Sequence, residues 1–204
     1  MAHEAGATFG GLRFRAAFVL VCAAAVSAAN AAPATYEIDP EHATVAFLVA
    51  HIGYAKVLGR FTAVDGTFEF DAETGELGNV AVTVAAASVA TDHEARDRHV
   101  REGDFLDAER FPEIAFAAAG AQRTGERTFE IAGELTLLGN TRPLVLQATL
   151  NKSAEYPIGD RAHVLGVSAR GQLARSEFGM TYGVANGLVG DDVEIIVEIE
   201  ARRR

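Results

Sequence analysis

What the chain lacks narrows its function before anything it contains is weighed. It has one cysteine in 204 residues, Cys22, inside an apolar run near the amino terminus, so no disulfide forms within the chain and a domain made from the rest relies on its core alone. Lys and Arg number 18 against 28 Asp and Glu, for a formal net charge of −10. The single basic run, residues 202–204, offers too few cations for the counterion release that drives nucleic-acid binding, and no nucleic-acid partner is expected. Beyond residues 16–26 no apolar stretch approaches the roughly 20 residues of a membrane-spanning helix. Phosphate-binding glycine loops and dinucleotide fingerprints are missing. Gly166-Val-Ser168-Ala-Arg-Gly171 is one residue too long for a nucleophile elbow and lies in strand-patterned sequence. Acidic pairs sit on wet strand faces, without the shielding that tunes a general acid. Zinc needs three or four converging ligands, but His93 and His99 are six residues apart and no thiol stands near them. No catalytic residue, metal or cofactor is expected. The chain reads as a container rather than a catalyst.

The amino terminus has a different character. Arg13 and Arg15 precede the apolar residues 16–26, and Ser27-Ala-Ala-Asn-Ala31 follows, the charged, apolar and small-residue order of a secretory signal peptide. Cleavage is expected after Ala31. A lipoprotein reading, with Cys22 acylated, meets the bulky Val21 where such sites require a small residue. Residues 32–204 then form one exported domain, long enough to bury about 70% of its unfolded surface. No repeat, linker or composition shift marks a second domain.

From Tyr36 onward the dominant period is two. Val64, Gly66, Phe68 and Phe70 alternate with Asp65, Thr67, Glu69 and Asp71. Val80, Val82 and Val84 repeat the pattern, as do Phe129 and Ile131, Leu135 and Leu137, the Leu144–Leu150 stripe, and Val193, Ile195, Val197 and Ile199. Each predicts an antiparallel strand with one buried and one wet face. Turn residues separate them at 71–75, 138–141 and 156–160. About eight or nine strands at this spacing make a sandwich or a closed barrel. A barrel of about eight strands is just wide enough to be filled by side chains or to hold one small ligand.

One segment breaks the pattern. Thr91 to Pro112 is densely charged and helical in spacing, with Thr91 and Glu94 in capping-box register and Glu94/Arg98 and Asp97/Arg101 four apart. A helix is expected around residues 92–102, ended by Gly103. Only Ala95 and Val100 are apolar within it, so it lies on a surface or frames a mouth. His51 falls in phase with Val45, Phe47 and Val49; an inward imidazole there is either a structural hydrogen-bonding group or orients a ligand's polar head. Arg60, Arg96, Arg98 and Arg175 are either surface ion pairs or contacts at a mouth for a polar or phosphorylated head group.

The order of motifs resembles the YceI-like family. Tyr36-Glu-Ile-Asp-Pro40-Glu-His42 leads into Val45-Ala-Phe47-Leu-Val-Ala-His51-Ile-Gly53 and Gly59-Arg60-Phe61; Arg96-Asp97-Arg98-His99 and Asp104-Phe105-Leu106-Asp107 follow. Phe111-Pro112, Gly133-Glu-Leu135-Thr136-Leu-Leu-Gly139-Asn-Thr141-Arg-Pro143 and Arg175-Ser-Glu-Phe178-Gly179-Met180 continue it. The chain departs at Thr44, Val100 and Leu106, where the family more often has serine, leucine and phenylalanine. The resemblance implies an all-β fold, an eight-stranded antiparallel lipocalin-like barrel with one charged helix, in a periplasmic protein. It further implies a bound isoprenoid lipid of polyprenyl or quinone type, a link to stress responses, and frequent homodimers.

Strand phase then selects the expected cavity lining: Phe47, Val49, His51, Phe68, Phe70, Val82, Val84, Phe116, Leu135, Leu137 and Leu146. The expected mouth or head-group contacts are Arg60, Arg96, Asp97, His99 and Arg175. Two rival readings differ in class. A structural module, such as a soluble partner of a membrane redox protein, requires a barrel plugged by its own side chains. An enzyme acting on a lipid head requires His51 or His99 at the reacting atoms.

Overall fold

Period-two alternation becomes strands throughout the described residues. The computed structural model describes residues 1–3, 6 and 33–204; the apolar run, Cys22 and the expected cleavage site lie outside them. The strands are β1 (Ala34–His51), β2 (Ala55–Phe61), β3 (Val64–Phe70), β4 (Leu77–Ala85), β5 (Val89–Ala90), β6 (Glu113–Gly120), β7 (Gln122–Arg123), β8 (Thr128–Leu137), β9 (Asn140–Glu155), β10 (His163–Ala174) and β11 (Val189–Arg203), with one α-helix, α1 (Glu94–Arg101). Hydrogen bonds link them in the order β11-β10-β9-β8-β6-β4-β3-β1, and β1 pairs back onto β11. The result is a closed, eight-stranded antiparallel barrel. Closure leaves no free edge around the ring.

Three short strands extend the ring. β2 pairs with the second half of β1, from Val45↔Phe61 to His51↔Ala55, and runs on into β3, which pairs with the first half. β5 continues the β4 side against β2, and β7 adds to β8. The register of β1 against β11 slips between Ile38 and Ala43, where Asp39-Pro40 falls. Proline has no N–H for a ladder, so an irregularity is where a long strand tolerates it. β8 and β9 are joined at Leu138 and Gly139, both with positive φ, as a two-residue hairpin turn of the right hand requires.

The two ends of the barrel differ. At one end large rings meet inside: Tyr36 stacks on Phe68 at 5.7 Å and Phe70 meets Phe129 edge-on at 6.1 Å, over the fully buried Leu165. The other end carries α1, which buries none of its residues.

The helix departs from expectation in its details. Its cap is His93, whose imidazole Nδ1 accepts the Arg96 amide at 3.2 Å. Thr91 is buried and turned the other way: its hydroxyl and amide both donate to Asp97 Oδ1, at 2.6 and 2.7 Å. An anionic carboxylate is a stronger acceptor than a neutral partner, so it claims both donors. The Glu94–Arg98 pair forms at 2.8 Å. Arg101, expected to pair with Asp97, instead donates to the carbonyls of Ala87 and Val89 at 2.8 and 2.7 Å, pinning α1 to the barrel. The helix ends at Glu102 in extended backbone (φ −79°, ψ 176°), not at a left-handed Gly103.

Candidate ligand cavity

The half of the barrel beneath α1 is hollow, with a cavity of about 550 Å³. That lies within the range of small-ligand sites. Its wall is apolar: Val45, Phe47 and Val49 of β1 face Val193, Ile195 and Val197 of β11, with β4, β6, β8 and β9 completing the circle. The deeper question is why inward phenylalanines leave the centre empty here when they plug the other end.

Two glycines supply the reason. Gly59 pairs directly with Phe47 across β1 and β2, and a Cβ built on it would fall 2.1 Å from the Phe47 ring. The ring lies flat in the space a side chain would occupy. Gly133 does the same for Phe116, whose ring would be 2.5 Å from an added Cβ. An aromatic laid against its own wall adds apolar surface without crossing the lumen.

The structure brings most of the expected lining together. Phe47, Val49, His51, Val82, Val84, Phe116, Leu135, Leu137 and Leu146 border the cavity. Phe68 and Phe70 do not; they belong to the plug and touch only a small void of about 40 Å³. His51 is exposed on the rim instead of lying deep inside, because β1 ends there and the chain turns at Ile52 and Gly53. Strand phase also identifies the β11 stripe, which belongs to the wall although it was absent from the expected lining. Val57 follows from pairing with Val49. Tyr182 and Leu188 border the cavity from a glycine-rich loop, where no period exists to find them.

The polar groups gather at the mouth. Arg96, His99 and Arg175 border the cavity, whereas Arg60 and Asp97 do not. His99 Nε2 lies 2.9 Å from Asp104 Oδ2, and its ring packs edge-on against Phe105 and Tyr182 at 5.0 and 5.2 Å. Arg96 donates through Nε and Nη2 to the Thr91 hydroxyl and carbonyl, each at 2.7 Å. Thr91's hydroxyl, donating to Asp97, holds that carboxyl below the usual range.

Arg175 is the most constrained of the set. It is 2% exposed and donates to four carbonyls: Gly190 at 2.7 Å, Met180 at 2.9 Å, Tyr182 at 2.7 Å and Val189 at 3.1 Å. Burial lowers its pKa, with the Asp191 carboxylate opposing. Four of the five guanidinium N–H groups are spent on the protein. Arg175 clamps the loop that forms the lip and has one donor left for a ligand. Among the described residues no three His, Cys, Asp or Glu side chains converge as a metal site.

A closed barrel with an apolar lumen and a sparse polar mouth can enclose a long apolar molecule and leave its polar end outside. Known proteins agree with the geometry. The model of the YceI-like domain matches residues 36–201. The chain belongs to the YceI-like family. Its relatives include a UPF0312 protein of Pseudomonas savastanoi pv. phaseolicola, 39% identical over 159 residues, which cover 77% of this chain and 82% of that one. The crystal structure of the Campylobacter jejuni YCEI protein superposes with a TM-score of 0.69 at 26% identity, covering 76% of this YceI-like chain and 90% of its own. A polyisoprenoid binding domain from Saccharophagus degradans, implicated in plant cell wall breakdown, shares the fold with a TM-score of 0.63 at 12% identity, over 84% of this chain and 99% of that one.

Proposed function

We propose that this YceI-like protein is a periplasmic carrier that holds the tail of a long-chain isoprenoid lipid, of polyprenyl or quinone type, in the hollow half of its barrel. The observation that carries the reading is the apolar cavity of about 550 Å³, with its polar groups confined to the mouth. Each methylene moved from water into such a lumen contributes about 0.8 kcal/mol, so a prenyl tail binds tightly with few polar contacts. The polyisoprenoid binding domain of Saccharophagus degradans, with the same fold, supports the choice among apolar ligands. The signal-peptide pattern ahead of Ala31 supports export.

Organic extraction of the protein purified from a native, membrane-containing source, followed by mass spectrometry, tests the reading. About one prenyl lipid per barrel is expected. Repeated recovery of lipid-free protein that also fails to take up added prenyl lipid would overturn it. Cell fractionation with sequencing of the mature amino terminus tests export, with cleavage close to Ala31 as the expected outcome.

A further inference from the structure

Large exposed hydrophobic side chains are concentrated on one part of this molecule. Ile52, Tyr54, Leu58, Tyr182 and Leu188 all belong to two segments, the turn and outer strand of the β1–β2 hairpin and the loop before β11. The Ile52 amide donates to the Leu188 carbonyl at 3.1 Å, joining the two. Ile52, Tyr182 and Leu188 also border the cavity, so the patch is the lip of the lumen itself.

Three features of this lip are unexplained by folding in water. First, the hairpin's outer face is not the wholly polar one that water would leave, since Lys56 and Arg60 there flank apolar side chains. Val49 pairs with Val57 toward the cavity, and on the opposite face Leu48 pairs with Leu58, which is 59% exposed. A half-buried strand in water has one polar face. Second, charge is absent from the hairpin tip and the loop, although Arg96, His99 and Arg175 stand at the mouth beside them. Charged residues make up 23% of the chain, yet residues 181–190 contain none, and residues 43–55 contain no Asp, Glu, Lys or Arg. Lys56, next along, is neutralised by Glu194. Third, the outermost positions are spent on apolar bulk. Tyr54 is 90% exposed, and Ile52 occupies a left-handed turn position (φ 50°) that a β-branched residue disfavours and Asn or Gly would fill without strain.

We propose that this lip docks on the surface of a lipid bilayer, inserting the hairpin tip and the 182–188 loop so that the lumen opens directly onto the lipid phase. The proposal rests on the carrier reading for its purpose, since a prenyl tail leaving the cavity would otherwise cross water. A bilayer is the fitting partner because the cavity opens within the patch. A second copy placed there would seal the lumen. Tyrosine is favoured at membrane interfaces, where an amphipathic ring has both of its environments. The lack of charge in the hairpin tip and the loop, in a chain of net charge −10, means that insertion, not attraction to anionic headgroups, drives the contact.

The test uses the chain from Ala31 to Arg204, one compact unit that contains the whole barrel, and flotation with phosphatidylcholine vesicles. The wild type should float with the vesicles and keep doing so at high salt. Tyr54→Ser/Leu58→Ser/Leu188→Ser should lower vesicle partitioning by roughly tenfold, with an unchanged circular dichroism spectrum; Leu58→Ser, at a position that does not border the cavity, should also leave calorimetric binding of farnesol added without membranes unchanged. Leu58→Ser alone should give a smaller loss and stands in if the triple variant misfolds. Val145→Ser and Ile158→Ser, exposed apolar positions elsewhere, should change nothing. Wild-type protein left in the unbound fraction overturns the proposal, as does equal flotation of the triple variant or loss of flotation at high salt. A dimer by light scattering that the triple variant splits, without flotation, also overturns it and assigns the lip to a second copy. Flotation without farnesol binding removes the carrier reading but keeps the docking surface; the converse does the reverse.

Discussion

The two ends of this barrel are built from the same alternation and reach opposite outcomes. At the closed end Phe68 stacks on Tyr36 and Phe70 meets Phe129, so inward rings contact one another and exclude a ligand. At the open end Phe47 and Phe116 lie against Gly59 and Gly133, and valines and isoleucines of β1 and β11 complete a thin wall. The difference is one of partners, not of pattern. Phe70 of β3 reaches Phe129 of β8, past β4 and β6, and makes a core. Phe47, which meets Phe61 at 5.7 Å on neighbouring strands, and Phe116 are laid over glycines on their own wall and make a container. Stability and capacity are therefore divided along the axis: the plug supplies packing that holds the fold, and the hollow half gives up some of it.

The largest expected effect strikes the open end at Arg175, a guanidinium buried at the lip. Arg175→Met removes donors from four carbonyls around the lip, and a buried network broken from one side costs about 3–5 kcal/mol. Urea unfolding measures it; a loss within about 0.5 kcal/mol of zero would show that the clamp is ornamental. A single strand offers the cleanest comparison of the two ends. Leu165 and Leu173 both lie on β10, the first against the plug and the second on the cavity wall. Leu165→Ala should cost about 3 kcal/mol, and Leu173→Ala about 1 kcal/mol, because a side chain already bordering empty space loses fewer contacts. Ligand affinity should fall only for Leu173→Ala. Equal stability losses would mean that the open end is as solid as the closed one. Smaller in stability than Leu165→Ala, Gly59→Ala should cost about 1–2 kcal/mol by forcing the Phe47 ring off its wall. Its main readout is a shrunken lumen, seen as weaker binding of long prenyl chains with shorter ones spared; unchanged selectivity would leave the flat ring without a role.

Much of this arrangement is legible in the chain, and what is not has a physical cause. The stripes through Phe68, Val82, Leu135 and Ile195 place strands correctly because each has a wet face to alternate against. Period two reports which face a residue takes and nothing about what lies opposite. Phe47 and Phe68 therefore look identical in sequence, although one lines the cavity and the other fills it. His51 keeps its phase but stands on the rim, because the length of β1 sets depth. Thr91 has the spacing of a cap, yet Asp97 outcompetes the helix amide for its hydroxyl. Tyr182 and Leu188 leave no pattern because their loop is placed by the buried guanidinium of Arg175, a contact across sequence that only the fold reveals.

That same Thr91–Asp97 contact carries the smallest and most local prediction, on the element that roofs the open end. Thr91's hydroxyl holds the Asp97 carboxyl below its ordinary 3.8, and Arg101 and Arg96 nearby push it the same way. The folded state thus takes up this proton less readily than the unfolded chain. The contribution is complete above about pH 4, the ordinary carboxylate range, and disappears as pH falls through the lowered folded value. Hydrogen exchange of the α1 amides, corrected for intrinsic rates, should be level between about pH 7 and pH 5 and quicken below about pH 4, while amides around the Tyr36–Phe68 stack keep their protection. Asp97→Asn should abolish the step, and Thr91→Val should move it toward the ordinary carboxylate range. A step that survives in Asp97→Asn would assign the acid response to other carboxylates, and a gain in protection on acidification would reverse the sign on which the roof's attachment depends.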